Sequence, residues 1–242
     1  MPPLKTGSFI TGFHMALSIS QTVALAKILK PGMRVASMGY PDLIASDEMI
    51  YGLMEKWMRF PSGLEYRKDS ESICKRHGLK NRPIPDAHSL FKLLRCELDV
   101  YDIVQERGCE ILCDLNVFQG NDGTTNFDHG GYDIVLDVGT LEHCFNIAHA
   151  VMNMAGMVKQ RGYILHENPF NQGNHGFYNL NPTLFADFYA ANGFKVLECR
   201  LVNREGGSIS VPPTQRFKFT EREVNVFAMA QRTKIQPFVY PV

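Results

Sequence analysis

Short apolar runs and longer stretches with helical spacing alternate along this chain. The runs rich in Val, Ile and Leu are typical of buried strands, and the longer stretches repeat apolar residues every three or four positions, which is typical of amphipathic helices. The predicted strands, in chain order, are residues 34–39, 97–102, 110–114, 132–139, 163–167, 194–202 and 224–231. The predicted helices are residues 13–29, 47–59, 146–158 and 182–192.

This alternation predicts an α/β fold: a doubly wound, mostly parallel sheet of seven strands with helices on both faces. The last two strands are joined by a loop without a helical pattern, so we expect them to pair as an antiparallel hairpin at one edge. Because neither an internal repeat nor a linker interrupts the pattern, we expect residues 1–242 to form a single domain.

Three segments lie outside the alternating pattern. Residues 1–30 form an N-terminal helical segment that precedes the first strand. Residues 60–88 are polar, basic in places and interrupted by three prolines, which predicts an insertion or a flap. Residues 233–242 form a C-terminal tail without a packing pattern, and we expect this tail to contact a second copy or a partner chain.

Candidate functional residues follow the predicted strands directly, because ligands of a doubly wound sheet bind beyond the carboxyl ends of its strands. Gly39 is a single glycine at the end of the first strand, whereas a pyrophosphate cradle needs several. A dinucleotide, a nucleoside triphosphate and a nicotinamide oxidoreductase are therefore disfavoured. A ribose needs a carboxylate at the end of the second strand, which Asp99 or Asp102 supplies, and Asp114 is placed to accept a hydrogen bond from an adenine amino group.

A series of motifs runs from about Asp86 to Val202: ELDVYD, GCEILCDLN, YDIVLDVGTLEHCFN, RGYILHENPFN, NHGFYNLNPTLFADFY and ANGF. In this order they resemble the class I S-adenosylmethionine-dependent methyltransferases, most closely the bacterial group associated with polysaccharide and natural-product modification. The run DVGTLEHCFN is the most specific part. The resemblance implies a sheet in the strand order 3-2-1-4-5-7-6 and S-adenosylmethionine as the cofactor of a methyl transfer.

The resemblance also implies where the cofactor lies. It puts Gly39 beside the amino acid end, Asp99 at the ribose and Asp114 near the adenine. Gly139 and Thr140 begin the segment 139–143, which lines the cofactor and the reaction centre. Where the family pattern has an acid followed by several glycines, this chain has only SMGYP, and Asp42 is the candidate substitute carboxylate.

The candidate catalytic residues are His143, Glu142 and His175. Transfer to a hydroxyl benefits from a base, which contributes ~10²–10⁴-fold, and histidine titrates near neutrality. His143 follows the fourth strand and is the first candidate, Glu142 orients it or binds substrate, and His175 in the loop after the fifth strand is the second. The alternatives are that Glu142 and His143 cap the next helix and that His175 is an exposed loop residue.

The loop after the fifth predicted strand also supplies candidate ligands for the acceptor. Asn174, Tyr178 and Asn179 can bind the hydroxyls of a sugar, with roles in a turn as the alternative. No ligand spacing requires a metal, so we predict none, although four residues near the strand ends carry suitable atoms: Asp137, His143, His166 and Glu167.

The charge balance narrows the class of partner. The chain has 25 Lys and Arg against 25 Asp and Glu, which disfavours nucleic-acid binding through phosphate contacts and favours a small-molecule or glycan acceptor. Carboxylates concentrate at the predicted strand ends, whereas much of the basic charge lies in residues 60–88 and near the C-terminus. We therefore expect an acidic site mouth beside a basic flap that can meet an anionic acceptor.

Six scattered cysteines predict buried, reduced thiols rather than a disulfide scaffold. No run approaches the ~18 apolar residues of a membrane span, and the N-terminus is a poor signal peptide. We therefore expect a cytoplasmic protein without a membrane span.

Two functions from different classes fit these observations. The leading hypothesis is methyl transfer to a hydroxyl of a sugar or a sugar-containing metabolite, although the same scaffold also serves N-methylation. The rival is a non-catalytic, methyltransferase-like subunit that has lost the cofactor and binds a partner, which the incomplete first-strand loop and the C-terminal tail favour.

Overall fold

The computed structural model describes residues 15–57, 62–118, 128–203, 207–209, 216 and 223–241. The strands are β1 (Ala16–Leu17), β2 (Arg34–Met38), β3 (Asp42–Leu43), β4 (Glu97–Asp102), β5 (Ile111–Leu112), β6 (Tyr132–Asp137), β7 (Val158–Pro169), β8 (Phe194–Val202), β9 (Ser208–Ile209) and β10 (Asn225–Arg232). The helices are α1 (Ile19–Ile28), α2 (Asp47–Glu55), α3 (Ser70–Arg76), α4 (Ala87–Leu93), α5 (Ile147–Met157) and α6 (Pro182–Ala191), with a 3₁₀ helix at Leu141–His143.

The main sheet has the order β5-β4-β2-β6-β7-β10-β8-β9. The seven predicted strands correspond to β2, β4, β5, β6, β7, β8 and β10, so the order 3-2-1-4-5-7-6 is confirmed. β10 is antiparallel to both β7 and β8, which confirms the hairpin. The short β9 extends the sheet beyond β8, and β1 pairs with β3 in a separate two-stranded sheet.

Apolar residues on both faces of the strands explain why the sheet is covered twice. Successive side chains of a strand point to opposite faces. On β6, Val135 packs in the cluster that includes α5 and α6, whereas Ile134 and Leu136 pack in the cluster that includes α1, α2 and α4. All three are fully buried, and each contributes ~1.5–3 kcal/mol of hydrophobic stabilisation. The predicted helices on both faces are thus confirmed.

The helix ends follow the capping residues rather than the apolar pattern. Helix α1 begins at Ile19 and not at residue 13, because Ser18 and Gln21 form a capping box that fixes its start. Ala16 and Leu17, which the pattern placed inside the helix, form β1 instead. Residues 13, 14 and 58–61, at the predicted ends of the first two helices, lie outside the described residues. Helix α5 matches its prediction and is capped by Asn146.

The predicted insertion is folded along its described part. Ile73, Cys74 and Ile84 form a small buried cluster of their own. Arg82 fastens the segment to the strand ends by donating hydrogen bonds to the carbonyl oxygens of Ile44 and Ala45, at 3.1 and 2.7 Å. The C-terminal end of α3 is thereby held over the carboxyl ends of the sheet.

The described part of the C-terminal tail packs on α6 of its own chain, and contact of the tail with another chain stays a prediction. Asn192, at the end of α6, exchanges hydrogen bonds with the backbone of Val239 at 2.7 and 2.9 Å. Phe238 stacks on Phe188 with ring centroids 6.0 Å apart. The tail lacks a periodic pattern because single residues, rather than a helical or strand face, make its contacts.

None of the helices in the described part of the chain has the length and apolar character of a membrane span. All six cysteines are free thiols.

Candidate functional site

Two adjacent cavities open at the carboxyl ends of the parallel strands. The larger has a volume of about 560 Å³ and lies between the end of α3 and the residues that follow β6 and β7. The smaller, of about 80 Å³, lies over the ends of β2, β4 and β5. Neighbouring residues line different cavities: Gly139 and Glu142 line the larger, whereas Thr140 and His143 line the smaller. The segment after β6 therefore forms the wall between them.

This wall is fixed by a buried carboxylate. Oδ1 of Asp137 accepts hydrogen bonds from the backbone N–H groups of Thr140 and Leu141, at 2.8 and 3.2 Å. Gly139 turns the chain with φ +91°, a conformation that glycine adopts without strain. Thr140 Oγ1 donates to the carbonyl oxygen of Met38 at 2.5 Å, which ties the turn to β2. Three hydrogen bonds therefore hold the strand-to-helix turn of the predicted motif.

Gly39, Asp102 and Asp114 line the smaller cavity, as a site for a nucleoside requires. Burial is the main influence on Asp102 and raises the pKa of its carboxyl. Oδ1 of Asp114 accepts from the backbone and side-chain nitrogens of Asn116, both at 2.9 Å. Gly39 has φ +82°, and a Cβ on it would lie 1.5 Å from Sδ of Met15. The Met15 side chain thus occupies the space directly above Gly39.

The three predicted catalytic residues come together at the wall between the cavities. One ligand atom each from Glu142, His143 and His175 lies within 4.8 Å of the other two. His175 Nε2 is 3.5 Å from Glu142 Oε1, and the two imidazole rings have centroids 5.5 Å apart. Glu142 is 1% exposed, whereas the His175 side chain is 33% exposed. A buried carboxylate therefore faces two imidazoles that ligands can reach.

The loop after β7 is fastened directly to Glu142. The N–H of Phe177 donates to the carbonyl oxygen of Glu142 at 2.9 Å. A Cβ on Gly176 would lie 2.8 Å from that same oxygen, so only glycine fits there. Because His175 precedes these two residues, its position over Glu142 is set by the backbone and not by a side-chain contact alone.

A buried hydrogen-bonded chain supports Glu142 from behind. Nδ2 of Asn168 donates to Glu142 Oε2 at 2.9 Å and to Asp137 Oδ2 at 2.8 Å. The same oxygen of Asp137 contacts His166 Nδ1 at 2.8 Å, and His166 Nε2 lies 2.5 Å from the hydroxyl oxygen of Tyr189. These five groups are buried. The sequence analysis identified neither Asn168 nor Tyr189. The two-residue spacing of His166 and Asn168 on β7 places these two side chains on the same face of the strand.

The pKa values of the two carboxyls in this hydrogen-bonded network, Asp137 and Glu142, are shifted in opposite directions. Burial is the largest influence on the Asp137 pKa and raises it, but the hydrogen bond and charge of His166, with the other donors, outweigh burial and lower the net pKa. Burial also dominates at Glu142, where the charge of Asp137 adds to it and the donors offset only part, so that the pKa is raised. Two neighbouring carboxyls with separated pKa values are typical of functional sites.

Asp99 does not line either cavity, so its position gives no support to the predicted contact with the ribose. Its Oδ2 accepts from the Tyr132 hydroxyl at 2.7 Å and pairs with Arg34 at 3.3 Å. Asp99 pairs with Ala36 in the middle of the sheet, whereas Asp102 is the last residue of β4. Asp102, at the carboxyl end of the strand, lines the smaller cavity.

Asp42 is likewise outside the lining of both cavities, so its position gives no support to the predicted role as a substitute cofactor ligand. It is 3% exposed and is held by Arg107 through two hydrogen bonds at 2.9 and 3.3 Å. His77 lies 3.5 Å and Arg76 3.7 Å away. Burial tends to raise the pKa of Asp42, but His77 and Arg107 outweigh it and lower the net pKa. The carboxylate therefore anchors the basic residues of the insertion.

The candidate acceptor ligands have structural partners instead. Tyr178 donates to the carbonyl oxygen of Phe145 at 2.9 Å, and Asn179 Oδ1 accepts from the backbone N–H of Gln172 at 2.7 Å. Asn174 is exposed, with φ +58°. All three lie outside the lining of both cavities, and their role as acceptor ligands stays a prediction.

Opposite charges line the larger cavity. Glu142 and Glu167 lie at its inner end, and Lys75, Arg76 and His77 approach from α3. Glu167 is held by Ser18 Oγ at 2.5 Å and by Asn225 Nδ2 at 3.1 Å, while burial raises its pKa. The acidic mouth and the basic insertion that the sequence predicts therefore face each other across one cavity.

No protein-family model matches this chain, and no curated protein matches its sequence. Solved structures match at low similarity. A 1,6-didemethyltoxoflavin-N1-methyltransferase from Burkholderia thailandensis, solved with 1,6-didemethyltoxoflavin and S-adenosylhomocysteine, is 14% identical, with a TM-score of 0.42 over 88% of this chain and 76% of that one. An Aquifex aeolicus S-adenosylmethionine-dependent methyltransferase is 11% identical, with a TM-score of 0.41 over 88% and 90%.

A putative methyltransferase from Haloferax volcanii, solved with the Trm112 methyltransferase activator, is 11% identical, with a TM-score of 0.43 over 89% of each chain. Likeness at this level does not establish what the present chain binds. The assignment to an α/β fold of strand order 3-2-1-4-5-7-6 follows from its own strand pairing.

Proposed function

We propose that this protein transfers a methyl group from S-adenosylmethionine to a hydroxyl of a sugar or a sugar-containing metabolite. The observation that carries the proposal is the position of the Glu142, His143 and His175 cluster between two cavities. His143 lines the smaller cavity, where an adenosine would lie, and Glu142 and His175 line the larger one, where an acceptor would lie. Groups that bind or deprotonate the acceptor thus lie where the two ligands would meet.

The residues of the smaller cavity suit the adenosine part of the cofactor. Asp102 is placed to bind the ribose hydroxyls, and Asp114 and Asn116 supply acceptors and donors for the adenine. The volume of about 80 Å³ is well below the ~300–1,000 Å³ of ligand pockets. Met15 accounts for the blocked space over Gly39, since its Sδ lies where a Cβ of that glycine would be. The amino acid part of the cofactor therefore fits once the Met15 side chain turns away.

The chemistry required of the chain is positioning and proton removal. The cofactor supplies a methyl group on a sulfonium, and the acceptor oxygen must be held in line with it at ~3–3.5 Å. His143 or His175 takes the hydroxyl proton as the general base. Glu142 is a buried carboxyl with a raised pKa 3.5 Å from His175, so it positions that imidazole.

The larger cavity favours an acceptor that carries both hydroxyls and an anionic group. Glu167 and Gln172 offer hydrogen-bond partners for hydroxyls at the inner end. On the α3 side, Arg76 has a buried Nε without a hydrogen-bond partner among the described residues. A carboxylate or phosphate on the acceptor would satisfy this group, since a buried unpaired donor costs ~1–3 kcal/mol.

A non-catalytic module is the second candidate, and one observation favours it. The side chain of Met15 fills the space above the single glycine of the first-strand turn, as it would in a fold that no longer takes a cofactor. The free thiols are compatible with either function in the reducing cytoplasm that we propose as the location.

Calorimetric titration with S-adenosylmethionine and S-adenosylhomocysteine separates the two candidates. We expect saturable binding of both; no heat and no thermal shift at millimolar concentration would contradict the enzyme. Turnover is then measured on polyhydroxylated acceptors with and without a carboxylate or phosphate. His143→Ala with near-normal turnover would remove His143 as the base, and the same result for His175→Ala would remove His175. His88→Ala, at a histidine outside both cavities, is the control.

A further inference from the structure

The cluster at the wall between the cavities has the composition of a metal site. Two imidazoles and one carboxylate are a ligand set that zinc and other divalent transition metals bind with positions left open for a further ligand. The geometry points to a site for one divalent transition-metal ion, held by Glu142, His143 and His175. The sequence does not predict this site, because residues 142 and 175 are far apart in the chain and come together only in the folded protein.

The distances suit an ion of this size. Ligand atoms of a tetrahedral zinc site, each about 2.1 Å from the ion, lie about 3.4 Å apart. Glu142 Oε1 and His175 Nε2 are 3.5 Å apart, so this pair already has the spacing. All three ligand atoms, including the one from His143, lie within 4.8 Å of one another.

The cluster is preorganised by the surrounding backbone and by an outer partner. Asn168 fixes Glu142 by donating to Oε2, which leaves Oε1 for the ion. Phe177 N–H and the close approach of Gly176 hold His175 in place over Glu142. Hydrogen bonds that orient the ligands in this way raise metal affinity.

Other metal-ligand residues nearby are already engaged. Asp137 and His166 bind each other, and His166 also contacts Tyr189. Glu167 binds Ser18 and Asn225. Of the four residues with suitable atoms that the sequence analysis names, Asp137, His143, His166 and Glu167, only His143 belongs to the proposed metal site.

The role of the ion in the reaction rests on the proposed function. Because Glu142 and His175 line the larger cavity, the open positions of the ion face the acceptor. In the ion-bound protein an acceptor hydroxyl would lose its proton more readily, since a divalent ion stabilises the alkoxide, and the proton would pass to water in the larger cavity because His143 and His175 would be occupied as ligands. The ion would also fix the oxygen beside the cofactor methyl group.

The test is binding of zinc to the full chain. Protein treated with a chelator is titrated with ZnCl₂ by calorimetry, and the metal content is measured after dialysis. We expect one zinc per chain, with affinity lowered at least about tenfold in Glu142→Gln, His143→Gln and His175→Gln, since even an outer partner contributes ~10–100-fold. The control variant His88→Gln should bind zinc as the wild type does, because His88 lies on α4 against Tyr40.

Absence of saturable zinc binding, or equal affinity in the variants of the cluster, would overturn the site. Equal weakening by His88→Gln would do the same. If the Glu142→Gln variant fails to fold, His175→Gln remains decisive, because His175 lies on an accessible loop. Titration of the chelated protein with S-adenosylhomocysteine keeps the two proposals apart: cofactor binding without zinc binding overturns only the metal site, and zinc binding without cofactor binding overturns only the methyltransferase.

Discussion

Removal of the Met15 side chain should open the cofactor site. Its Sδ lies 1.5 Å from where a Cβ of Gly39 would be and 3.6 Å from Thr140 Oγ1. A ligand over Gly39 must first displace this side chain. Apparent affinity is reduced by the fraction of molecules in which the site is open, so a variant without the obstruction should bind more tightly.

The size of the effect follows from the burial of Met15. Full burial of a methionine side chain contributes ~1.5–3 kcal/mol, and Met15 is only partly buried. Turning it into water therefore costs about 1 kcal/mol, which corresponds to about a fivefold change in Kd. Met15→Ala removes this cost, so we expect S-adenosylhomocysteine to bind about fivefold more tightly.

The assay is calorimetric titration of wild type and Met15→Ala with S-adenosylhomocysteine. Met49→Ala is the matched control, because Met49 is also partly buried but packs on α2 away from both cavities. Unchanged or weaker binding by Met15→Ala would show that this side chain does not obstruct the site. Equal tightening by Met49→Ala would assign the effect to a general loosening of the fold.

Three further predictions concern the carboxylates. Asp102→Ala should weaken S-adenosylhomocysteine binding about tenfold, the loss of a charged hydrogen bond, whereas Asp99→Ala should leave its Kd within about twofold in the same titration. Arg107→Ala should lower the free energy of unfolding by about 3 kcal/mol, because it leaves Asp42 buried with weaker partners; a loss below about 1 kcal/mol in urea denaturation would contradict this. Burial raises the pKa of Glu142 in the folded state. The free energy of unfolding therefore falls as pH rises through this folded-state pKa, whereas Glu142 has no such effect below its unfolded-state pKa of about 4.3. In chelator-treated protein, Glu142→Gln should therefore have the higher thermal midpoint at pH 8, with the difference vanishing near pH 4; an advantage that grows at low pH would refute the assignment.

Local patterns were sufficient for the elements whose signal is local. The apolar run Ile134, Val135 and Leu136 predicts a strand that is buried on both faces, and these residues lie in β6. Asn146 and Ser46 predict helix starts because their side chains bind the first free N–H groups, as both do. The start of α1 was misplaced because the apolar spacing continues through residues 13–17, whereas Ser18 decides where the helix begins.

Candidate site residues were predicted where the chain itself brings them to a strand end. Glu142 and His143 lie in the 3₁₀ helix shortly after β6, Asp102 is the last residue of β4, and Asp114 lies two residues after β5. Asp102 lines the smaller cavity and Asp99 does not, since a sequence does not mark where along a strand the open edge lies. Asn168 remained unnoticed because a buried amide has no motif, and its importance comes from the two carboxyls that it joins.

The sequence by itself determined the order of strands and helices, their apolar faces and the set of polar residues at the strand ends, because each depends on spacing along one segment. Only the tertiary structure decided which of these residues meet. It placed His175 over Glu142, set Met15 above Gly39 and turned Asp42 towards Arg107. These contacts join segments that are far apart in the chain, and close packing, rather than local propensity, selects one partner for each buried polar group.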